Sequence, residues 1–163
     1  MIYVRTCAYN AEKTIRRTIE SILSQTIPDF KYYILDNGST DSTRAIIDEY
    51  AKSDDRIVVF YNKVNRRLEE NPSFWTLSND INDDDYLAFL DADDYVDIHL
   101  YAIINQYIEK DIDLIKFKLQ RVDEHGEILE KVDGPVFENK TGEQGFELLY
   151  ALDVLLDSPC IYI

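Results

Sequence analysis

Glycine is scarce in this chain of 163 residues: there are five, at positions 38, 126, 134, 142 and 145. None lies in the turn directly after the first apolar stretch, so the glycine-rich phosphate turn of a nicotinamide-binding unit is excluded, and no Walker A pattern occurs. No glycine lies inside the acidic stretch around residue 91 either, which rules out an EF-hand loop. Cysteine is nearly absent. Cys7 and Cys160 form no CxxC pair and no metal-ligand spacing, a usage that fits a reducing, cytoplasmic setting. Positive charge is also short, with 17 Lys and Arg against 32 Asp and Glu and a formal net charge of −15. Unspecific binding to nucleic acid or to an anionic membrane needs a basic surface, so those partners are set aside. The shortage is uneven, because no Lys or Arg occurs between Arg67 and Lys110. No apolar run approaches the ~18 residues of a membrane span, and no signal peptide is recognisable.

What the chain does have is 45% hydrophobic residues and 12% aromatics, enough for a packed core and one expected domain over 1–163. Apolar stretches at 2–6, 31–35, 57–61 and 86–90 read as strands. Between them, Ile15, Ile19, Ile22 and Leu23 fall on one helical face, with Asn10 as the expected cap. Ile46, Ile47 and Tyr50 mark a second helix, introduced by the turn Asn37-Gly-Ser-Thr-Asp41. A short helix is expected around 74–81. A clearer one follows, through Leu100, Ile103, Ile104, Tyr107 and Ile108. Residues 114–119 alternate like a half-exposed strand, 124–127 read as a hairpin turn, and 141–157 as a last helix. Strands alternating with helices predict an α/β fold, three layers around a mainly parallel sheet. Right-handed crossovers then bring the ends of strands one, two and four to one rim.

The stretch Tyr86-Leu-Ala-Phe-Leu-Asp-Ala-Asp-Asp-Tyr95 runs from a buried strand straight into three carboxylates. Open α/β sheets bind ligands outside the carboxyl ends of their strands. Carboxylates this close raise one another's pKa unless a cation offsets them, and a hard ion such as Mg²⁺ or Mn²⁺ suits their oxygens. The competing account is a solvated Asp-rich turn. A haloacid-dehalogenase phosphatase also places Asp-x-Asp after a strand, but Tyr95 and the mid-chain position count against it.

Three segments in order resemble the family-two glycosyltransferases, whose fold is of the GT-A type. They are Tyr9-Asn-Ala-Glu-Lys13 with Ser21-Ile-Leu-Ser-Gln-Thr26, then Leu35-Asp-Asn-Gly-Ser-Thr-Asp41, then Phe89-Leu-Asp-Ala-Asp-Asp94. The resemblance spans residues 2 to about 97 and implies an inverting, metal-dependent transfer of sugar from a nucleotide diphosphate sugar, a UDP-sugar by its base contact. It implies a donor nucleotide site of Cys7, Ala8, Tyr9, Asp36, Asn79, Asp91 and Ala92. Tyr9 would wall the base, Asp36 would accept the N3 hydrogen of uracil, and Asp91 would reach the ribose. Asp93 would hold Mn²⁺ or Mg²⁺, with Asp91 a second candidate ligand. Asp94 either joins the metal or caps the next helix, and we assign it the cap.

The sequence departs from the family at Cys7, where a proline is usual, at Asn37, where a second Asp is usual, and at Ser78, where an arginine is usual. Arg66 or Arg67 is the candidate substitute for that arginine at the diphosphate. The catalytic base is expected beyond Ile163, in an acceptor-binding part, so the chain reads as an amino-terminal donor-binding piece. The sequence does not identify the acceptor; a saccharide or a lipid-linked acceptor of bacterial polysaccharide synthesis is the candidate. A longer protein would sit in the cytoplasm or peripherally at the inner membrane face. The alternative is a catalytically incomplete module that binds nucleotide-sugar and metal.

Overall fold

A computed structural model describes residues 1–67, 70, 81–82, 84–108, 114–115, 119–123, 127–132 and 161–162. The elements run β1 (Ile2–Ala8), α1 (Ile15–Leu23), β2 (Phe30–Asp36), α2 (Thr43–Ala51), β3 (Ile57–Tyr61) and β4 (Tyr86–Phe89). They continue with α3 (Leu100–Ile108), β5 (Leu114–Ile115), β6 (Leu119–Val122), β7 (Ile128–Val132) and β8 (Ile161–Tyr162). Six strands form one sheet in the order β3-β2-β1-β4-β8-β5. The pairs β2–β3, β1–β2 and β1–β4 are parallel, whereas β8 runs antiparallel to both β4 and β5. This is the expected mainly parallel sheet, of GT-A type.

The helices are held by one face of the sheet. Ile2, Val4 and Ala8 of β1 and Phe30, Tyr32 and Ile34 of β2 pack under Ile15, Ile19 and Ile22 of α1 and Ile47 of α2. Each isoleucine taken out of water there contributes about 1.5–3 kcal/mol. The fully buried Tyr32 hydroxyl donates to Thr6 Oγ1 at 2.9 Å, so the core carries no open donor at that point. On the opposite face Tyr3 stacks on Tyr33, and Tyr33 on Phe60, with ring centroids 5.9 and 6.2 Å apart. Tyr3 and Tyr33 are buried, and Ile81 packs on the same cluster. Burial on both faces is what a parallel sheet requires.

Three expectations need correction. The helix expected through Leu100–Ile108 is present, but its buried side chains are Tyr101 and Ile104, with Leu100 partly buried against the core, while Ile103 and Tyr107 face water. The reason is the Tyr101 ring, which meets Phe30 edge-on at 5.4 Å and so sets the rotation of the helix. The alternating stretch expected as one strand is divided, with 114–115 in the main sheet and 119–122 paired to β7 in a separate hairpin. Asn10 does not cap α1, which starts at Ile15 after Thr14. The helix expected around 74–81, all but Ile81, which is not helical, the helix at 141–157, Asn79, Ser78, His125 and Cys160 lie outside the described residues.

Candidate active site

The strand order turns at β1. Chain connections build outward from it to β2 and β3 on one side, then return to place β4 on the other. Such a reversal leaves a crevice between the carboxyl ends of two neighbouring parallel strands. Here it opens into a cleft of about 640 Å³ whose lining includes Cys7, Tyr9, Lys13, Asp41, Asp91 and Asp93. Tyr9 is 45% exposed, a large aromatic surface left bare at a cleft mouth.

The cleft rim is built by two loops that hold each other. Asn10 adopts a left-handed backbone, φ 50°, which its short amide side chain tolerates. Its Oδ1 accepts the Thr40 N–H at 2.8 Å, and its own N–H donates to Ser39 Oγ at 3.1 Å. The Ala11 N–H donates to Thr43 Oγ1 at 2.7 Å, and Glu12 Oε2 accepts the Ser42 N–H at 3.0 Å. Burial pushes the Asp41 carboxyl up, but hydrogen bonds from Thr43 and the Glu12 N–H outweigh it and hold it below the usual range. Asn10 thus serves the neighbouring turn instead of its own helix.

Asp36 ends β2 in register with Ala8 and Tyr61. It is 1% exposed, and its Oδ1 accepts the Ser39 N–H at 3.0 Å. Asn37 is buried beside it. Its Nδ2 donates to Asn65 Oδ1 and to the Arg66 carbonyl, at 2.8 and 2.7 Å, while its Oδ1 accepts from Asn62 Nδ2 at 2.7 Å. An aspartate could not make the two donations, which explains an amide at a place where the resembled family has an acid. Gly38 follows with φ 78°, and a Cβ there would lie 2.5 Å from the Val64 carbonyl carbon. Gly38→Ala therefore faces both left-handed strain, about 1–2 kcal/mol, and collision with a backbone that cannot yield. We expect a lower urea midpoint for this variant; an unchanged one would contradict the packing of 62–66 on the turn.

At the end of β4, Asp91 and Asp93 are exposed to the cleft, while Ala92 between them is buried in the core cluster. Desolvation, then the neighbouring Asp93 charge, raises the Asp91 carboxyl. Desolvation also raises Asp94, with Asp93 and Asp91 adding to it and Arg17 opposing. Asp94 does not cap α3, as its sequence position suggested. That part falls to Asp97, whose Oδ1 accepts the His99 N–H at 2.8 Å and whose carbonyl accepts the Leu100 N–H at 3.0 Å. The Cys7 thiol is pushed up to about 11, by desolvation first and then by Asp91 and Asp36, so it is a protonated side chain and no nucleophile.

Cys7, Tyr9, Asp91, Ala92 and Asp93 are therefore brought together at one opening. Ala8 is fully buried and does not line it; its carbonyl is taken by the Asn37 N–H at 2.8 Å. Asp36 lies behind Cys7, near enough to act on its thiol, and does not line the cleft. Lys13 and Asp41 line it as well; both lie inside the segments that resemble the family, but the sequence assigned neither a role. Among the described residues, no group of three or more His, Cys, Asp or Glu side chains is set to cage a metal. Two adjacent carboxylates in an open cleft fit a different kind of site, where a hard ion arrives with phosphates and takes its remaining ligands from them and from water.

The model of glycosyl transferase family 2 matches residues 3–152, and the chain belongs to that family. Among curated relatives, the putative teichuronic acid biosynthesis glycosyltransferase TuaG of Bacillus subtilis is 39% identical over 97 residues, 58% of this chain and 36% of TuaG. The putative glycosyltransferase EpsE of the same organism is 40% identical over 87 residues, 53% of this chain and 30% of EpsE. The chain thus spans about a third of the length of these relatives. In structure, S. aureus TarS 1-349 in complex with UDP-GlcNAc matches 76% of this chain and 35% of its own, with a TM-score of 0.64 and 23% identity. The mannosyltransferase PcManGT from Pyrobaculum calidifontis, in complex with GDP-Man and Mn²⁺, matches 74% and 35% with a TM-score of 0.60 and 16% identity. These two likenesses are of fold.

Proposed function

We propose that this chain binds the donor for a metal-dependent, inverting glycosyltransferase that uses a UDP-sugar to extend a saccharide or lipid-linked saccharide. The observation that carries the proposal is the pairing of Asp91 and Asp93 beside the exposed Tyr9, in a cleft at the point where strand order reverses. Tyr9 offers an aromatic wall for the base, and Asp36 an acceptor for uracil N3–H once the base reaches past Cys7. Asp91 accepts from the ribose hydroxyls. Asp93, with Asp91 as second ligand, would hold Mn²⁺ or Mg²⁺. The ion would neutralise charge developing on the departing diphosphate. The TarS complex with UDP-GlcNAc and relatives named for teichuronic and teichoic acid synthesis support the donor and acceptor classes. The acceptor hydroxyl needs a carboxylate base on the face opposite the leaving group. Asp41 accepts backbone N–H groups on both of its oxygens and is held below the usual carboxylate range, which counts against it as that base.

Titration calorimetry with UDP tests the reading. We expect binding in Mn²⁺, strong weakening in EDTA, and weaker binding of GDP under both conditions. Equal affinity for UDP with and without metal would sink it.

A further inference from the structure

Helix α1 and the turn after it carry two stripes. Ile15, Ile19 and Ile22 face the sheet, and a second, polar stripe of Arg17, Thr18, Ser21 and, just past the helix end, Gln25 runs along the loop that bears the acidic cluster. Thr18 is fully buried, and its hydroxyl donates to the Ala92 carbonyl at 2.9 Å. Arg17 Nη2 donates to the Asp93 carbonyl at 3.3 Å and lies over the Tyr95 ring, 4.4 Å from its centroid. Ser21 Oγ accepts the Val96 N–H at 3.3 Å. Gln25, 6% exposed, works in both directions: its Nε2 donates to the Asp97 carbonyl at 2.7 Å and its Oε1 accepts the Tyr101 N–H at 3.0 Å. The Thr26 N–H adds a bond to the Ile98 carbonyl at 3.2 Å.

Contacts from α1 and the turn after it therefore follow the chain from Ala92 to Tyr101. The carbonyls of Ala92 and Asp93 point toward α1, and the side chains of Asp91 and Asp93 are left to the cleft. Two carboxylates that repel each other would otherwise relax apart, or turn toward bulk water. We propose that Thr18 and Gln25 are positioning residues of the donor site, fixing the Ala92–Tyr101 backbone so that Asp91 and Asp93 are presented together to the metal and the donor. This gives a use to Ser21-Ile-Leu-Ser-Gln-Thr26, a stretch that does not line the cleft. The inference rests on the proposed function.

The test compares Thr18→Val, which keeps the shape and removes the hydroxyl, with Thr18→Ser, which keeps the hydroxyl. Gln25→Glu is an independent arm, since it retains the acceptor for Tyr101 and loses the donor to Asp97. Partners behind metal ligands typically change metal affinity by ~10–100-fold. On that scale Thr18→Val and Gln25→Glu should lose about tenfold or more in UDP affinity with Mn²⁺, change little in EDTA, and Thr18→Ser should recover the parent value. Hydrogen exchange of the metal-free proteins supplies a second readout. Faster exchange confined to the amides after Ala92 marks positioning, whereas loss spread over α1 and the sheet marks a general packing role and overturns the proposal. A folded Thr18→Val protein with the parent's response to Mn²⁺ overturns it too. If Thr18→Val does not fold, Gln25→Glu decides on the same criteria. A parent protein whose UDP affinity ignores Mn²⁺ overturns the functional reading, and this inference with it.

Discussion

Asp93→Asn is expected to bind UDP no more tightly in Mn²⁺ than in EDTA, a loss of at least about 100-fold if ligands cost no less than their supporting partners. The asparagine keeps the size of the side chain and removes the charge that a hard cation needs. The same substitution should leave the metal-free protein at least as stable as the parent, because of the sign of the neighbouring shifts. Asp91 and Asp94 are raised by desolvation first and by the Asp93 charge second. A raised carboxyl pKa means that the folded state disfavours the ionised form. Stability is then lost as pH rises through the folded pKa and regained as it falls. Removing the Asp93 charge flattens that dependence. Opposite effects on binding and on stability are the signature of a site kept at a cost to the fold. Thermal melts of the metal-free proteins from acid to neutral pH, beside calorimetry with UDP, read both. A variant that loses stability and keeps its response to Mn²⁺ would assign Asp93 to the structure of the loop.

The parts of this site legible in sequence were those written into single strands. Ile2–Ala8, Phe30–Asp36, Ile57–Tyr61 and Tyr86–Phe89 are largely apolar runs separated by polar segments, so their order and their common rim followed from pattern and handedness. Asp91 and Asp93 were visible because charge follows a buried strand without a break. What could not be read were interactions between loops distant in sequence. Asn10 looks like a helix cap in its own segment, and only the neighbouring turn reveals that its side-chain oxygen Oδ1 serves Thr40. Asn37 looks like a small departure from a motif until Asn62, Asn65 and Arg66 are placed around it. The rotation of α3 is similar: Leu100, Ile103 and Tyr107 form a respectable apolar stripe, yet Phe30 in another strand selects Tyr101. The polar stripe of α1 did leave a signal. Thr18, Ser21 and Gln25 recur at i, i+3 and i+7 beside the isoleucines, a second face too regular for solvent alone.

Asp36→Asn should weaken UDP and, unlike a general loss of structure, should weaken it more than CDP. One carboxylate oxygen of Asp36 already accepts the Ser39 N–H at 3.0 Å. The proposed function gives the other to uracil N3–H, so both contacts demand acceptors. An amide has one acceptor oxygen and an NH₂ group that can only donate. If its oxygen stays on Ser39, the NH₂ meets N3–H donor to donor, but it suits cytosine, whose N3 accepts. If it turns over, the bond to Ser39 is lost and the turn carrying Gly38 loosens. A charge-assisted hydrogen bond contributes about 1.5–3 kcal/mol, which corresponds to roughly 10- to 150-fold in UDP affinity. The same scale sets the expected fall in the ratio of UDP to CDP affinity. Calorimetry with both nucleotides in Mn²⁺ measures it, with a melt to confirm folding. A folded Asp36→Asn protein with the parent ratio would remove Asp36 from the base site. Its buried carboxylate would then belong to the Ser39 turn alone.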